Sequence, residues 1–355
     1  MTLKVGIICG GRSSEHEISC TSAGGVLRAI DRTQYEPVMI GISKSGKWTL
    51  IPDDFDFSIR GDVLPVIAED GLPVAIGPDG FSINGEKIAI DIVFPLLHGP
   101  YGEDGTIQGL LEIADMPFVG SGVLASAVAM DKSFAKPIFA AAGIKVAEGF
   151  VVREGDWVKE KVKISSEIAT LGYPVFVKPA RGGSSRGTTK VSSADQLDSA
   201  IAEAHSFDPK ALVENEVRGR EIECAVLEID GVPRASVVGQ IEIDPQFEFY
   251  DFQAKYLHSA TSITLPAPIP EKIAREIQEQ AVKAFTSLGC SGLARVDFFL
   301  TPAGEVIITE LNTMPGFTAT SVFPKMWEAS GVSYQEVISH LLKNALRRNN
   351  GVLGN

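Results

Sequence analysis

The sequence predicts an α/β unit followed by an α+β region, and three observations carry that expectation. Two apolar strand patterns in the first hundred residues, Leu3–Cys9 and Ile90–Leu96, each run into a polar glycine-rich loop and then a helix pattern. The stretch Val146–Leu212 alternates strand and helix patterns. Near the carboxyl end, Gly292–Gly316 (GLARVDFFLTPAGEVIITELNTMPG) reads as a hairpin with one polar and one apolar face.

A chain of 355 residues is long for one core, so two or three domains are expected. Hydrophobic residues at 45% and charged residues at 22% are those of an ordinary globular protein. The net charge of −13 argues against a nucleic-acid partner, but not against a phosphate ligand held by a metal ion and a few local lysines. Cys9, Cys20, Cys224 and Cys290 form no CxxC and no paired framework, which suits reduced thiols in the cytoplasm. The amino terminus reads as a buried strand rather than a signal peptide. No apolar run approaches the eighteen or so residues of a membrane span, so a soluble protein is expected.

In chain order, Leu3–Cys9 is a buried parallel strand ending in Gly10-Gly11-Arg12-Ser13-Ser14-Glu15-His16-Glu17. Strand, glycine loop and helix in that order place a ligand site at the carboxyl end of a doubly wound, Rossmann-like sheet, although GxGxxG is absent. Glu15 is either a partner of the helix dipole or a ligand group. Tyr35–Ile42 is a second strand. Gly41–Trp48 nearly spells a P-loop, but Trp48 stands where a metal-bound hydroxyl is needed, so a β-turn is the better reading. Residues 52–90 are turn-rich, with short strands expected at Val74–Ile76 and Lys87–Ile90. Ile90–Leu96 leads into His98-Gly99-Pro100-Tyr101-Gly102-Glu103-Asp104-Gly105, where His98 is either structural or a ligand contact.

Pro117–Gly122 reads as a crossing between domains, and Val123–Ala142 as one helix with Asp131 and Lys132 in its middle. Pro174–Lys178 is a strand that delivers Lys178 to the loop Pro179–Gly187, which holds Gly182, Gly183, Ser184 and Ser185. Backbone N–H groups, hydroxyls and a lysine at a strand end suit a phosphate cover. Strands follow at Ala211–Glu216, Ile222–Glu228 and Val237–Ile243. The aromatic segment Phe249–Leu257 is a packed Ω-loop or a lid. Glu271–Leu288 is an amphipathic helix, and another is expected near Ser333–Leu346.

Strict alternation on the hairpin puts Arg295, Asp297 and Phe299 on one face with Ile308, Glu310 and Asn312. Val296, Phe298, Leu300, Ile307, Thr309 and Leu311 then face the core. Carboxylates and an amide oxygen suit a hard divalent cation, and a guanidinium suits an oxyanion. A solvated face with an ion pair is the plainer alternative.

Taken together, Lys132, Lys178 with its glycine loop, Glu214, Glu221, Arg295, Asp297, Glu310 and Asn312 resemble the ATP-grasp fold. The resemblance narrows with four motifs: Gly10–Ser19, His98–Thr106, Phe249–Tyr256 and Glu310–Thr318 look like those of the D-alanine–D-alanine ligase family. It implies three parts: a substrate-binding α/β domain (1–122), a central ATP-grasp lobe (123–213), and a lobe with lid and metal platform (214–355). It implies ATP-dependent joining of two D-alanines through an acyl phosphate, for peptidoglycan precursors. Lys132 and Lys178 would hold phosphate oxygens, with Gly183, Ser184 and Ser185 covering the γ-phosphate. Glu214, the Val217 backbone, Glu221 and Phe299 would surround adenine and ribose. Asp297, Glu310 and Asn312 would hold two Mg²⁺ (or Mn²⁺) ions. Glu15, linked to Ser184 and Tyr256, would pair with the first D-alanine's ammonium. Arg295 and the Gly316 N–H would stabilise the tetrahedral oxyanion. Lys255 and Ser321 would grip the second carboxylate, beside His98 and Val322. The lid pair Lys255-Tyr256 and the apolar Val322 favour D-alanine over D-lactate and D-serine at the second position. The resemblance also implies a cytoplasmic homodimer with no nucleic-acid or membrane partner. A D-alanine–D-serine or broad D-amino-acid ligase, a non-catalytic nucleotide-binding module and an ATP-grasp carboxylase are the rival readings.

Overall fold

The computed structural model describes residues 2–61, 63–183, 185–243 and 261–348, with Ile243 and Thr261 as backbone only. The amino-terminal part contains β1 (Leu3–Gly10), α1 (His16–Ala29), β2 (Tyr35–Ile42), β3 (Trp48–Leu50), β4 (Leu72–Pro73), β5 (Ala75–Gly77), β6 (Gly80–Ile83), β7 (Glu86–Lys87), β8 (Ile92–Pro95) and α2 (Thr106–Ile113). β1 lies between β2 and β8, parallel to both, in a five-stranded sheet of order β4-β3-β2-β1-β8. Val5, Ile7, Ile8 and Cys9 are fully buried, because helices and loops cover both faces of a parallel strand. Gly10 and Gly11 have φ of 89° and 96°, and a Cβ on Gly10 would meet the Ile42 carbonyl oxygen at 2.3 Å. Only glycine therefore turns the chain here from β1 towards α1. The turn-rich segment forms a separate meander of order β5-β6-β7, where the sequence suggested short strands at Val74–Ile76 and Lys87–Ile90; β5 falls on the first, while β7 ends at Lys87.

The helix expected over Val123–Ala142 is two helices, α3 (Val123–Met130) and α4 (Lys132–Ala141). Asp131 between them is extended (φ −96°, ψ 98°), and its carboxylate accepts the Ser133 N–H at 3.0 Å. An N-cap aspartate is stable in that conformation because it satisfies an otherwise orphaned donor of the new helix. The break makes Lys132 the first residue of α4, where its N–H donates to the Ala180 carbonyl at 3.0 Å.

The second sheet has order β11-β10-β12-β9, from β9 (Gly149–Arg153), β10 (Val175–Pro179), β11 (Thr189–Val191) and β12 (Lys210–Asn215). α5 (Glu154–Thr170) and α6 (Leu197–Phe207) supply Ile164, Ile168, Leu197 and Ile201 to its core. The third sheet has order β15-β14-β13-β16-β17, from β13 (Arg220–Ile229), β14 (Val232–Ile243), β15 (Thr261–Thr264), β16 (Leu293–Leu300) and β17 (Val306–Asn312). Helix Glu271–Ser287 packs on it through Ile277, Ala281, Ala284 and Phe285, the stripe legible in the sequence. Helices Val322–Ala329 and Tyr334–Arg347 share one core with Ala225, Leu227 and Leu293 of the third sheet and with Val5, Ile7 and Phe94 of the first. The carboxyl-terminal helices thus lock the first and third sheets together.

The hairpin differs from strict alternation in one respect. Arg295 pairs with Asn312 and Asp297 with Glu310, but the register then shifts so that Phe298 pairs with Ile308 and Phe299 with Ile307. Thr309 is the extra residue of a β-bulge, and its hydroxyl donates to the Asp297 carbonyl at 2.9 Å. Ile308 therefore turns into the core, fully buried, while Ile307 joins Phe299 on the open face. The bulge reconciles the odd-length connection 301–305 with the odd-to-even pairing that puts the polar residues together.

Candidate active site

The second and third sheets enclose a cavity of about 500 Å³. Phe176, Lys178, Lys190 and Glu214 line it from the second sheet; Glu221, Asp297, Phe299, Ile307 and Glu310 line it from the third. The link 215–219 forms its rim and contributes Val217, while Lys132 and Lys136 of α4 close one end. Phe176, Val217, Phe299 and Ile307 make an apolar slot with charged groups at one side, a shape that suits a flat polar heterocycle with an anionic tail.

Each cation at that end is held by a carboxylate. Lys132 Nζ lies 2.9 Å from Glu310 and donates to the Gly182 carbonyl at 2.9 Å. Burial disfavours its charge, but Glu310, Glu214 and Asp131 outweigh that and raise its pKa. Lys178 lies 2.5 Å from one Glu214 oxygen, and Lys136 pairs with the other. Burial pushes Lys136 down to about 8, and Glu214 only partly restores it. Burial alone would raise Glu214, yet Lys178 and Lys136 hold it below the ordinary carboxylate value. Arg295 makes a fork to Asp297, with donors at 2.8 and 2.7 Å, and its Nε lies 3.2 Å from Glu223. Asn312 Nδ2 donates to the same Asp297 at 3.1 Å.

A smaller cavity of about 60 Å³ adjoins the first through Lys132, Gly182 and Glu310, and is lined by Glu15, His98, Gly183, Arg295, Asn312 and Gly316. The glycine loop roofs this space: a Cβ on Gly183 would lie 3.9 Å from a Glu15 carboxylate oxygen. The opposite wall is the segment after β17, and two side chains of the amino-terminal part, the buried His98 and the half-buried Glu103, grip its Met314 backbone. Glu103 accepts the Gly99 and Met314 N–H groups at 2.9 and 3.0 Å, and the His98 Nδ1 lies 2.9 Å from the Met314 carbonyl. That carbonyl fixes Nδ1 as the protonated nitrogen, leaving Nε2 to accept from the Ser22 hydroxyl at 3.0 Å. Burial holds His98 below the usual imidazole value, so it stays neutral.

Burial, with a contribution from Glu15, pushes Glu103 up to about 8, from an ordinary value of 4.5. A carboxyl raised on folding binds its proton more tightly in the native state, so its stabilisation is complete below pH 4.5 and is lost as pH rises through 8. Unfolding free energies from urea titrations at pH 5 and 8.5 should differ more in the parent than in Glu103→Gln, by roughly 2–4 kcal/mol. Equal pH dependence in the two proteins would show that Glu103 titrates normally.

Of the residues singled out in the sequence, Glu15, His98, Lys132, Lys178, Gly183, Ser185, Glu214, Val217, Glu221, Arg295, Asp297, Phe299, Glu310, Asn312 and Gly316 all line one of these two cavities. Ser321 and Val322 line neither: the Ser321 Oγ accepts the Thr318 N–H at 3.0 Å, and Val322 packs against the shared core. Ser184, Lys255 and Tyr256 lie outside the described residues. Sequence reasoning assigned no role to Lys136, Glu103 or Glu223. Lys136 lies one turn beyond Lys132, a spacing that puts both on one helix face. Among the described residues no three His, Cys, Asp or Glu side chains converge as a preformed metal centre. Asp297, Glu310 and Asn312 nevertheless supply the oxygen donors a hard divalent cation takes, few enough that phosphate oxygens would complete its shell.

Two sheets closing on a cavity, with lysines entering from one side and a carboxylate–amide hairpin from the other, define the ATP-grasp class. Within that class the chain belongs to the D-ala D-ala ligase family, whose amino-terminal model matches residues 4–121 and whose carboxyl-terminal model matches residues 138–343. A D-alanine–D-alanine ligase of Arthrobacter sp. (strain FB24) is 48% identical over 98% of this chain and 95% of its own length. That of Streptomyces griseus is 45% identical, over 98% and 94% respectively. Among solved structures, the VanG D-Ala:D-Ser ligase from Enterococcus faecalis superposes with a TM-score of 0.84 at 36% identity, covering 97% of this chain and all of the other. The D-alanine–D-alanine ligase from Coxiella burnetii gives a TM-score of 0.83 at 34% identity, covering 97% and 94%.

Proposed function

We propose that the protein joins two D-alanine molecules, with ATP as phosphoryl donor, to supply D-alanyl-D-alanine for peptidoglycan precursors. The observation that carries this reading is the position of Arg295, Asp297, Glu310 and Asn312 between a nucleotide-sized cavity and a small one walled by Glu15. When bound, ATP would donate its γ-phosphoryl group to the first D-alanine's carboxylate, leaving ADP and an acyl phosphate; the second D-alanine's amine would attack that carbonyl carbon and expel inorganic phosphate, while Mg²⁺ would neutralise the phosphate charge.

The chain's own groups divide this work. The apolar slot takes the adenine, with Glu221 at its edge. Lys132 and Lys178 bind phosphate oxygens, turning donors now held by Glu310 and Glu214 towards the nucleotide. Asp297, Glu310 and Asn312 hold the divalent cations. Gly183, Ser184 and Ser185 roof the reacting phosphate and exclude water. Glu15 binds the first substrate's ammonium, and Arg295 with the Gly316 N–H stabilises the oxyanion of the tetrahedral centre. Through Met314, His98 and Glu103 fix the segment that carries Gly316. We assign the second substrate's carboxylate to Lys255 and Ser321, and lid closure over Glu15 to Tyr256.

A second reading, D-alanine–D-serine ligation, is favoured by the likeness to the VanG enzyme. The apolar Val322 argues for a methyl-bearing substrate, although an apolar wall rejects a hydroxyl only by about 10²-fold. The test is phosphate release from Mg·ATP with D-alanine, with L-alanine, and with D-alanine plus D-serine or D-lactate, products being identified by mass. D-Alanyl-D-alanine as the main product, with L-alanine inert, is expected. A dominant D-serine product would favour the second reading, and no D-amino-acid-dependent phosphate would remove both.

Among the described residues no helix is long and apolar enough to cross a membrane. A cytoplasmic setting and a second copy as partner complete the proposal. Ile113 on α2 and Leu124 on α3, 77% and 75% exposed, are candidates for the covered surface, and light scattering at micromolar concentration tests for the dimer.

A further inference from the structure

We infer that Lys136 is a positioning residue for nucleotide phosphates, keeping Glu214 charged and in place so that Lys178 is free to exchange its carboxylate partner for a phosphate oxygen. The inference rests on the nucleotide reading of the large cavity. Glu214 is the most enclosed member of the triad, with a side chain 5% exposed, and its two oxygens are divided between two lysines. Lys136, 8% exposed, comes from α4; Lys178, 20% exposed, comes from β10 and is the more accessible from the cavity.

A carboxylate this enclosed does not stay ionised in the cavity wall without a partner, and stranding it is costly. With two cationic partners the triad carries a net positive charge, and Glu214 can yield one lysine without being stranded. The exposed lysine is the one to go, and phosphate attracts it. Without Lys136, Glu214 and Lys178 would form a closed neutral pair. Drawing Lys178 onto a phosphate would then leave Glu214 with no cation in contact, only the more distant Lys132, which Glu310 already holds. The penalty falls on the anionic tail of the nucleotide and not on its base.

Calorimetric titration of Mg·ADP and of adenosine into the full-length parent, Lys136→Met, Glu214→Gln and the double variant tests this. Lys136→Met should lose about tenfold or more in Mg·ADP affinity, with adenosine changed by less than about twofold. The double variant should bind Mg·ADP as Glu214→Gln does, because a neutral residue 214 no longer retains Lys178. Unchanged Mg·ADP affinity in Lys136→Met, or equal losses for both ligands, would overturn the inference while leaving the nucleotide cavity intact. Should Lys136→Met fail to fold, the comparison of the double variant with Glu214→Gln decides alone: equal affinities support the inference, and a further loss refutes it. A parent that takes up neither ligand overturns the nucleotide reading and this inference with it.

Discussion

Glu310→Gln is expected to lower turnover by about three orders of magnitude or more while leaving the protein folded. Glu310 sits on β17 directly opposite Asp297, on the paired side of the Thr309 bulge, and lies 2.9 Å from Lys132. Glutamine has the same shape and still offers Lys132 an oxygen, and Lys132 also donates to the Gly182 carbonyl. The fold should therefore lose only about 1 kcal/mol, within the range for one charge-assisted hydrogen bond reduced to a neutral one. The charge is the loss that matters. Two carboxylates and an amide are the candidate metal donors, so removing one negative charge removes half of what the protein offers the cations. Steady-state phosphate release measures the first effect and a urea midpoint the second, while Mn²⁺ binding in the presence of ADP reports the metal directly. Turnover within about tenfold of the parent, or unchanged Mn²⁺ binding, would take Glu310 out of the metal set.

How much of this site was legible depends on the distance over which each feature is determined. The hairpin faces follow from alternation, a local property, and so Arg295, Asp297, Glu310 and Asn312 were identifiable as a group. The bulge at Thr309 was not, because it reconciles a five-residue connection with pairing further along the ladder, and misplaced Ile307 and Ile308. Asp131 carried a readable signal, an N-cap type two residues before a serine, but apolar periodicity on both sides masked it. The Met314 clamp was out of reach. Its partners His98 and Glu103 lie 216 and 211 residues away, and only the packing of the first sheet against the carboxyl-terminal helices unites them. Lys136 has the same character: its helix spacing is local, but its partner Glu214 lies on β12, an element of the second sheet brought against α4 only by folding. The four family motifs carried more than any single spacing, because they marked loops that meet only after folding.

Arg295→Lys is expected to reduce kcat by about 10²–10³-fold, the cost of losing an oxyanion-hole donor, with nucleotide affinity changed much less. Arg295 is 11% exposed in its side chain and lies between Asp297, which it grips with two donors, and Glu223, itself 4% exposed. Methionine at this position would leave two acidic groups without their cation, a destabilisation of about 3–5 kcal/mol that would confuse catalysis with folding. Lysine keeps the charge and so separates the two. Its ammonium is a point charge on a flexible stem, without the planar fork that aligns Asp297 while facing the small cavity. Two effects then act on the same step: the developing oxyanion loses a fixed donor, and Asp297 loses the contact that orients it. A fall in kcat with little change in the KM for ATP and a thermal midpoint near the parent's supports the oxyanion role. A kcat within about fivefold of the parent would assign Arg295 to the structure of the hairpin alone. The Gly316 N–H, held through Met314 by His98 and Glu103, would then be the remaining donor to account for the tetrahedral centre.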